Sequence, residues 1–138
     1  MKTLEVKVGN VTIGGDNPIV VQTMCNTHTS DVDASVSQCR RLAAAGAQLI
    51  RLTVPSIAQV ESLRQIKETL RAEGIDTPLV ADVHFSSDIA IAAAEVVEKV
   101  RINPGNFHKD HEKAREQFAR LVEVCKLNGT AIRIGLNH

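Results

Sequence analysis

Residues 78–103 read PLVADVHFSSDIAIAAAEVVEKVRIN, a strand, a helix and a second strand in succession. Pro78 to His84 is a short apolar run, an Ala-rich helix is predicted from Asp88 to Glu98, and Val100-Arg-Ile-Asn103 is a second strand before the turn Pro104-Gly105-Asn106. Strand, helix and strand joined by short loops predict a right-handed β-α-β unit with parallel strands. The polar residues of the two strands sit two apart at their carboxyl ends: Asp82 and His84 in one, Arg101 and Asn103 in the other. Residues two apart share a face. One face is therefore polar, while the other, Ala81 with Val83 and Val100 with Ile102, is apolar and suited to cover by helices.

The same unit extends both ways. Upstream, Gln48 to Val54 is a strand, and Ser56 is expected to cap a helix striped by Ile57, Val60, Leu63, Ile66 and Leu70 that ends at Gly74. Before it, Ile19 to Thr23 is a β-branched strand, followed by the polar loop Asn26-Thr-His-Thr29. Ser30-x-x-Asp33 then offers a capping box to a helix reaching Gly46. Downstream, a helix from about Asp110 to Leu127 carries Ala114, Phe118, Leu121 and Cys125 on one stripe, and Thr130 to Gly135 is a fifth strand. Glu5 to Ile13 alternates on both sides of Gly9-Asn10, the signature of a hairpin. The chain divides into a hairpin cap, 1–17, and β/α units, 18–138.

Two α/β architectures satisfy this repeat. A doubly wound nucleotide-binding sheet wants a Gly-rich turn after its first strand, and Met24 to His28 holds no glycine. A (β/α)8 TIM barrel places polar residues at the carboxyl ends of several strands, converging on one mouth. The expectation is thus the first half of such a barrel: five parallel strands in sequential order, with four helices on one side and the hairpin in front.

Alternation puts Gln22/Met24, Arg51/Thr53, Asp82/His84, Arg101/Asn103 and Arg133/Gly135/Asn137 on the inner face. Arg51, Arg101 and Arg133 are expected at similar depth with Asp82 between them, and His84, Asn103 and Asn137 one layer nearer the opening. Each partly desolvated guanidinium costs several kcal/mol without counter-charge, and one carboxylate does not neutralise three. An anionic ligand supplies the missing charge, and the planar Arg fork suits phosphate oxygens. The alternative is an interior ion-pair network with Asp82 and carboxylates from elsewhere. In this setting Asp82 orients Arg101 or Arg51, and His84 either contacts the ligand or is a hydrogen-bonded structural histidine. His108 and His111 read as a solvated helix end.

Composition narrows the partners. Across 138 residues, 16 Lys+Arg balance 16 Asp+Glu, so no global field favours nucleic acid or an anionic membrane. Aromatics are only 2%, with no Trp or Tyr, which disfavours base-stacking platforms. No apolar run has the length of a membrane span and the amino terminus does not lead into a signal-peptide core, so the expectation is cytoplasmic. Cys25, Cys39 and Cys125 are odd in number and widely spaced, which argues against a disulfide framework or a self-contained metal site.

Four blocks in order, Val20-Val-Gln-Thr-Met24 with Asn26-Thr27, Leu79-Val-Ala-Asp-Val-His-Phe85, Lys99-Val-Arg-Ile-Asn-Pro-Gly-Asn106 and Ile132-Arg-Ile-Gly-Leu-Asn137, resemble the 4-hydroxy-3-methylbut-2-enyl diphosphate synthase family. Glu98-Lys99 and Phe107 resemble its longer bacterial and plastid form. The resemblance implies a TIM barrel that binds 2-C-methyl-D-erythritol 2,4-cyclodiphosphate on the methylerythritol phosphate route to isoprenoids. It also implies reductive ring opening with two electrons from ferredoxin or flavodoxin, and a [4Fe-4S] cluster held in a separate C-terminal domain that this chain lacks. By the same resemblance Arg51, Arg101 and Arg133 bind the diphosphate, with Asn137, His84, Asn103 and Asp82 beside them; plastid stroma replaces cytoplasm if the source is a plant or alga. Cys25 and His28 depart from the family's more usual Thr and Asp. The chain alone is expected to hold no cluster, to be inactive, and to self-associate or form a homodimer through the two edges of its half-barrel. Competing readings are another phosphate-binding TIM barrel, such as a dihydropteroate synthase relative, and a self-associating half-barrel binding module without catalysis.

Overall fold

The computed structural model describes residues 3–84 and 86–135. Five strands, β3 (Gln22–Met24), β4 (Leu49–Thr53), β5 (Leu79–Asp82), β6 (Lys99–Ile102) and β7 (Ala131–Ile134), form one parallel sheet in sequential order. Between them run α1 (Val32–Ala44), α2 (Ala58–Ala72), α3 (Ser87–Ala94) and α4 (His111–Asn128). This is the opening part of a (β/α)8 barrel, as the repeat predicts.

The convex face of the sheet is apolar for the reason the alternation gives. Ile50, Leu52, Leu79, Ala81, Val83, Val100 and Ile102 join Leu63, Ile66, Leu70, Ala90, Ala93, Leu121 and Cys125 from the helices in one buried cluster. Each fully buried Leu or Ile there contributes about 1.5 to 3 kcal/mol. A smaller cluster, Val8, Leu49 and Val80, lies on the other side of the sheet, packed with Val11, Ile13, Val20 and Ala131.

That smaller cluster is closed by the hairpin of β1 (Val6–Val8) and β2 (Val11–Ile13), paired with Val8 opposite Val11. Gly9 takes φ 57° and no non-glycine residue among those described has positive φ, so only the first central turn residue is left-handed, the type II′ pattern. A side chain at Gly9 would meet Pro78 and Glu98 carbons at 3.1 Å, which seats the turn against the amino ends of β5 and β6. The hairpin is therefore a plug beneath the sheet.

Several local expectations shift. Asp31, not Ser30, caps α1: its Oδ1 accepts from Ala34 N at 3.1 Å. Helix α2 has no side-chain cap, and Ser56 contributes only its carbonyl, to Gln59 N at 3.1 Å. Helix α3 starts earlier, capped by Ser86, and stops at Ala94, while Glu98 lies beyond it, ion-paired with Arg71 at 2.7 Å and accepting from Leu79 N at 2.8 Å. The first barrel strand begins at Gln22, with Ile19 exposed. Within the described residues β3 and β7 are the two edges of the sheet, flanked by exposed Ile19, Val21 and Ile134.

Candidate functional site

Parallel register sorts the inner face into layers. Thr53, Asp82, Arg101 and Arg133 are partners across β4 to β7. One layer deeper run Met24, Arg51, Val80, Lys99 and Ala131. Arg51 is therefore not level with the other two arginines: β4 is offset so that Thr53, not Arg51, lies opposite Asp82. Its side chain is long enough to close the gap.

Asp82, 1% exposed, is the centre of the upper cluster. Its Oδ1 accepts from Arg101 Nη1 at 3.1 Å, and Arg51 Nε stands 3.2 Å from its Oδ2. The Arg51 contact is Coulombic without hydrogen-bond alignment, leaving both of those buried atoms without a directed partner. His84 Nε2 is 3.4 Å from Asp82 Oδ2, while His84 Nδ1 faces Arg101 Nη1 at 3.4 Å. Since Arg only donates, the Arg101 contact fits a His84 that accepts at Nδ1. Arg51 Nη2 also reaches Met24 Sδ at 3.5 Å. Asp82 thus orients both Arg51 and Arg101.

Gly135 completes the upper cluster by its missing side chain. A Cβ there would lie 2.7 Å from Arg101 Cζ, so the guanidinium rests directly over the glycine. Asn103 follows on β6 but spends its Oδ1 on Gly105 N at 3.0 Å, capping the Pro104–Asn106 turn. Asn137 lies outside the described residues.

Arg133 parts from the other arginines. It lines a cavity of about 440 Å³ with Lys99, Gln22, Leu49 and the segment from Ile13 to Val20. Among the described residues neither Arg133 nor Lys99 has a carboxylate within ion-pair distance. Lys99 is 8% exposed, and burial, then the charge of Arg133, hold its pKa below the ordinary lysine value. The sequence reading missed Lys99, although extending the Arg101/Asn103 alternation by one step reaches it.

The loop after β3 is held from α1. Gln38 Oε1 accepts from Asn26 N at 2.9 Å, Thr27 N at 3.2 Å and Cys25 Sγ at 2.8 Å, and Gln38 Nε2 donates to Asn26 Oδ1 at 2.7 Å. A hydrogen bond with Cys39 lowers the Cys25 thiol to about 6 against the opposing push of burial, with Thr27 assisting; the same bond and burial raise Cys39. Burial pushes Cys125, on α4, up to about 11. No group of three or more His, Cys, Asp or Glu among the described residues is placed to hold a metal ion.

The profile of the GcpE TIM-barrel domain matches residues 3–138. The chain is 47% identical over 152 residues to 4-hydroxy-3-methylbut-2-en-1-yl diphosphate synthase (flavodoxin) of Chlorobaculum tepidum, covering 99% of this chain and 20% of that protein. It is 46% identical over 153 residues to the protein of the same name from Leptospira interrogans, covering 99% and 23% respectively. The chain thus spans about a fifth to a quarter of the length of these relatives. Among solved structures, the phospho-2-dehydro-3-deoxyheptonate aldolase of Thermotoga maritima is similar with TM-score 0.57 at 14% identity, over 98% of this chain and 45% of that one, a likeness of fold alone. A sequential parallel sheet walled by helices and a profile match from Thr3 to the last residue lead to one conclusion: the chain belongs to the GcpE TIM-barrel domain family.

Proposed function

We propose that this chain is the diphosphate-binding portion of a barrel whose whole protein acts as its relatives are named, forming 4-hydroxy-3-methylbut-2-enyl diphosphate from 2-C-methyl-D-erythritol 2,4-cyclodiphosphate. The observation that carries this is a charge imbalance: Arg51, Arg101, Arg133 and Lys99 share the inner face of the strands with one carboxylate, Asp82. A concave surface with three uncompensated positive charges favours an anion, and arginine forks from separate strands match phosphate oxygens. His84 and Asn103, with Asn137 beyond the described residues, are the polar groups proposed to contact the rest of the substrate.

The reductive chemistry lies outside these residues. A [4Fe-4S] cluster would be held by another part of the protein, with flavodoxin or ferredoxin as electron donor. Strands β3 and β7, flanked by exposed Ile19, Val21 and Ile134, are where closure of the barrel adds strands, from the same protein or from a second copy. A cytoplasmic location is part of the same proposal.

The test is Arg101→Ala in the full-length protein, titrated with the cyclic diphosphate. A charge-assisted hydrogen bond worth about 1.5 to 3 kcal/mol predicts affinity weaker by roughly 10- to 200-fold, with Lys restoring only part of it. A lower melting temperature with unchanged affinity would mean an ion-pair network in place of a binding site.

A further inference from the structure

We propose that Gln38, on α1, is a positioning residue for the barrel mouth: it holds the loop after β3 and turns the side-chain amide of Asn26 so that Nδ2 is left to donate to the ligand. This rests on the functional reading above for the identity of that ligand, and it places the contact on a loop, apart from the strand arginines.

The first ground is how the loop is held. It leaves the carboxyl end of β3, the end at which barrel sites are built. Both of its ends are tied to β4: Cys25 N donates to Arg51 O at 2.8 Å, and Thr29 Oγ1 donates to Thr53 O at 2.6 Å. The His28 carbonyl accepts from Ser35 Oγ at 3.0 Å and from Asp31 N at 2.9 Å. Between these anchors, Asn26 N and Thr27 N have no backbone acceptor among the described residues. Both donate instead to Gln38 Oε1, at 2.9 and 3.2 Å.

The second ground is that hydrogen-bond chemistry allows one arrangement. A backbone N–H only donates, so the Gln38 oxygen must face Asn26 N and Thr27 N. Its Nε2 then meets the Asn26 side chain at 2.7 Å, and because an amide nitrogen also only donates, the atom it meets is Asn26 Oδ1. Asn26 Nδ2, the other end of the same planar amide, is therefore turned away from Gln38. It has no partner among the described residues, and Asn26 is exposed. The exposed end of this side chain is thus a donor by necessity, the polarity that phosphate oxygens require.

The third ground is that folding does not need this. The anchors at Cys25, His28 and Thr29 already fix the course of the loop, and orienting an exposed amide adds little to stability. An amide free to turn would present its oxygen as readily as its nitrogen. Holding it in one orientation beforehand removes that ordering cost from binding.

The test uses the full-length protein with Gln38→Glu, Asn26→Ala and the two combined, titrated calorimetrically with 2-C-methyl-D-erythritol 2,4-cyclodiphosphate, with ligand-free melting temperatures measured in parallel. In Gln38→Glu the carboxylate still accepts from the two backbone N–H groups but has no hydrogen for Asn26 Oδ1, so the amide turns over and offers oxygen to the ligand. Both single variants are expected to melt near the wild-type temperature and to bind about 10-fold weaker or worse. In turnover the loss should appear in KM with kcat nearly unchanged. Added to Asn26→Ala, Gln38→Glu should weaken binding by less than about 2-fold further. An undiminished loss there would mean that the introduced charge acts by itself, and would overturn the proposal. So would wild-type affinity in either single variant, or a lower melting temperature with affinity unchanged, the mark of a loop brace and nothing more. If Arg101→Ala weakens binding and these variants do not, only this assignment falls; if the wild-type protein does not bind the diphosphate, the functional proposal falls with it.

Discussion

The two halves of the concave face hold similar residues and solve the problem of buried charge differently. Above, Arg51 and Arg101 close on Asp82 at 3.2 and 3.1 Å, with His84 at the side. Below, buried Lys99 and exposed Arg133 line one cavity that has no carboxylate among the described residues. The first arrangement is a preassembled network whose geometry exists before any ligand arrives. In the second only Lys99 is buried charge, with no counter-ion among the described residues, and burial of the surrounding apolar residues offsets its cost. Rigid positioning belongs to the layer that contains its own counter-ion.

The strongest way to break this contrast is to remove the counter-ion. Asp82→Ala leaves two partly buried guanidinium groups without partner and should cost about 3 to 5 kcal/mol of stability, measured by urea unfolding. Lys99→Met should cost little by the same assay. Equal losses would show that the two layers do not differ as described.

A smaller effect is expected at Gly135. A methyl group there meets the Arg101 guanidinium, which Asp82 pins in place, so Gly135→Ala should destabilise by about 1 to 3 kcal/mol through overpacking and weaken anion binding. Combined with Asp82→Ala it should add less than its single-variant cost, because the released guanidinium is free to move aside. Full additivity would mean that Arg101 is not held between the two.

The smallest expected effect sharpens the lower layer. Lys99 has a pKa below its ordinary 10.5 in the folded chain, so between those two values the unfolded state binds more protons and stability rises with pH. The groups around it are Arg133 from β7 across the cavity, Arg51 from β4 in its own layer and Arg101 above it on β6; Gln22, Leu49 and Asn17 are neutral. Because Cys25 and Cys39 also titrate away from their ordinary values, the quantity to measure is the difference between wild type and Lys99→Met. A positive slope on approaching pH 10.5, present in the wild type and absent from Lys99→Met, is the expected result. Identical slopes would place Lys99 in a solvated environment.

Much of this was legible in the chain itself. The recurrence of short β-branched runs and striped helices dictates parallel strands, and period-two alternation within Leu49–Thr53, Lys99–Ile102 and Ala131–Ile134 assigns Arg51, Arg101 and Arg133 to the inner face. Both follow from local sterics and from the need to bury one face of each helix. Gly9-Asn10 likewise dictates a turn, because only glycine takes its φ of 57° without strain.

The tertiary structure decided what alternation cannot express. Alternation gives the face of a residue but not its height, and the offset of β4 against β5 puts Arg51 a layer below Asp82. It does not give the direction of a long side chain, so Arg133, in register with Arg101, bends to the lower cavity instead of joining Asp82. Nor does it say which carboxylate is already taken. Glu98 adjoins Lys99 in sequence, yet folding sends it to Arg71 and Lys67 on the opposite side of the strand, and the lysine enters the barrel without a carboxylate partner among the described residues. Faces and turns are properties of a few consecutive residues; charge balance depends on strand stagger and on groups tens of residues apart, and only the assembled sheet fixes those.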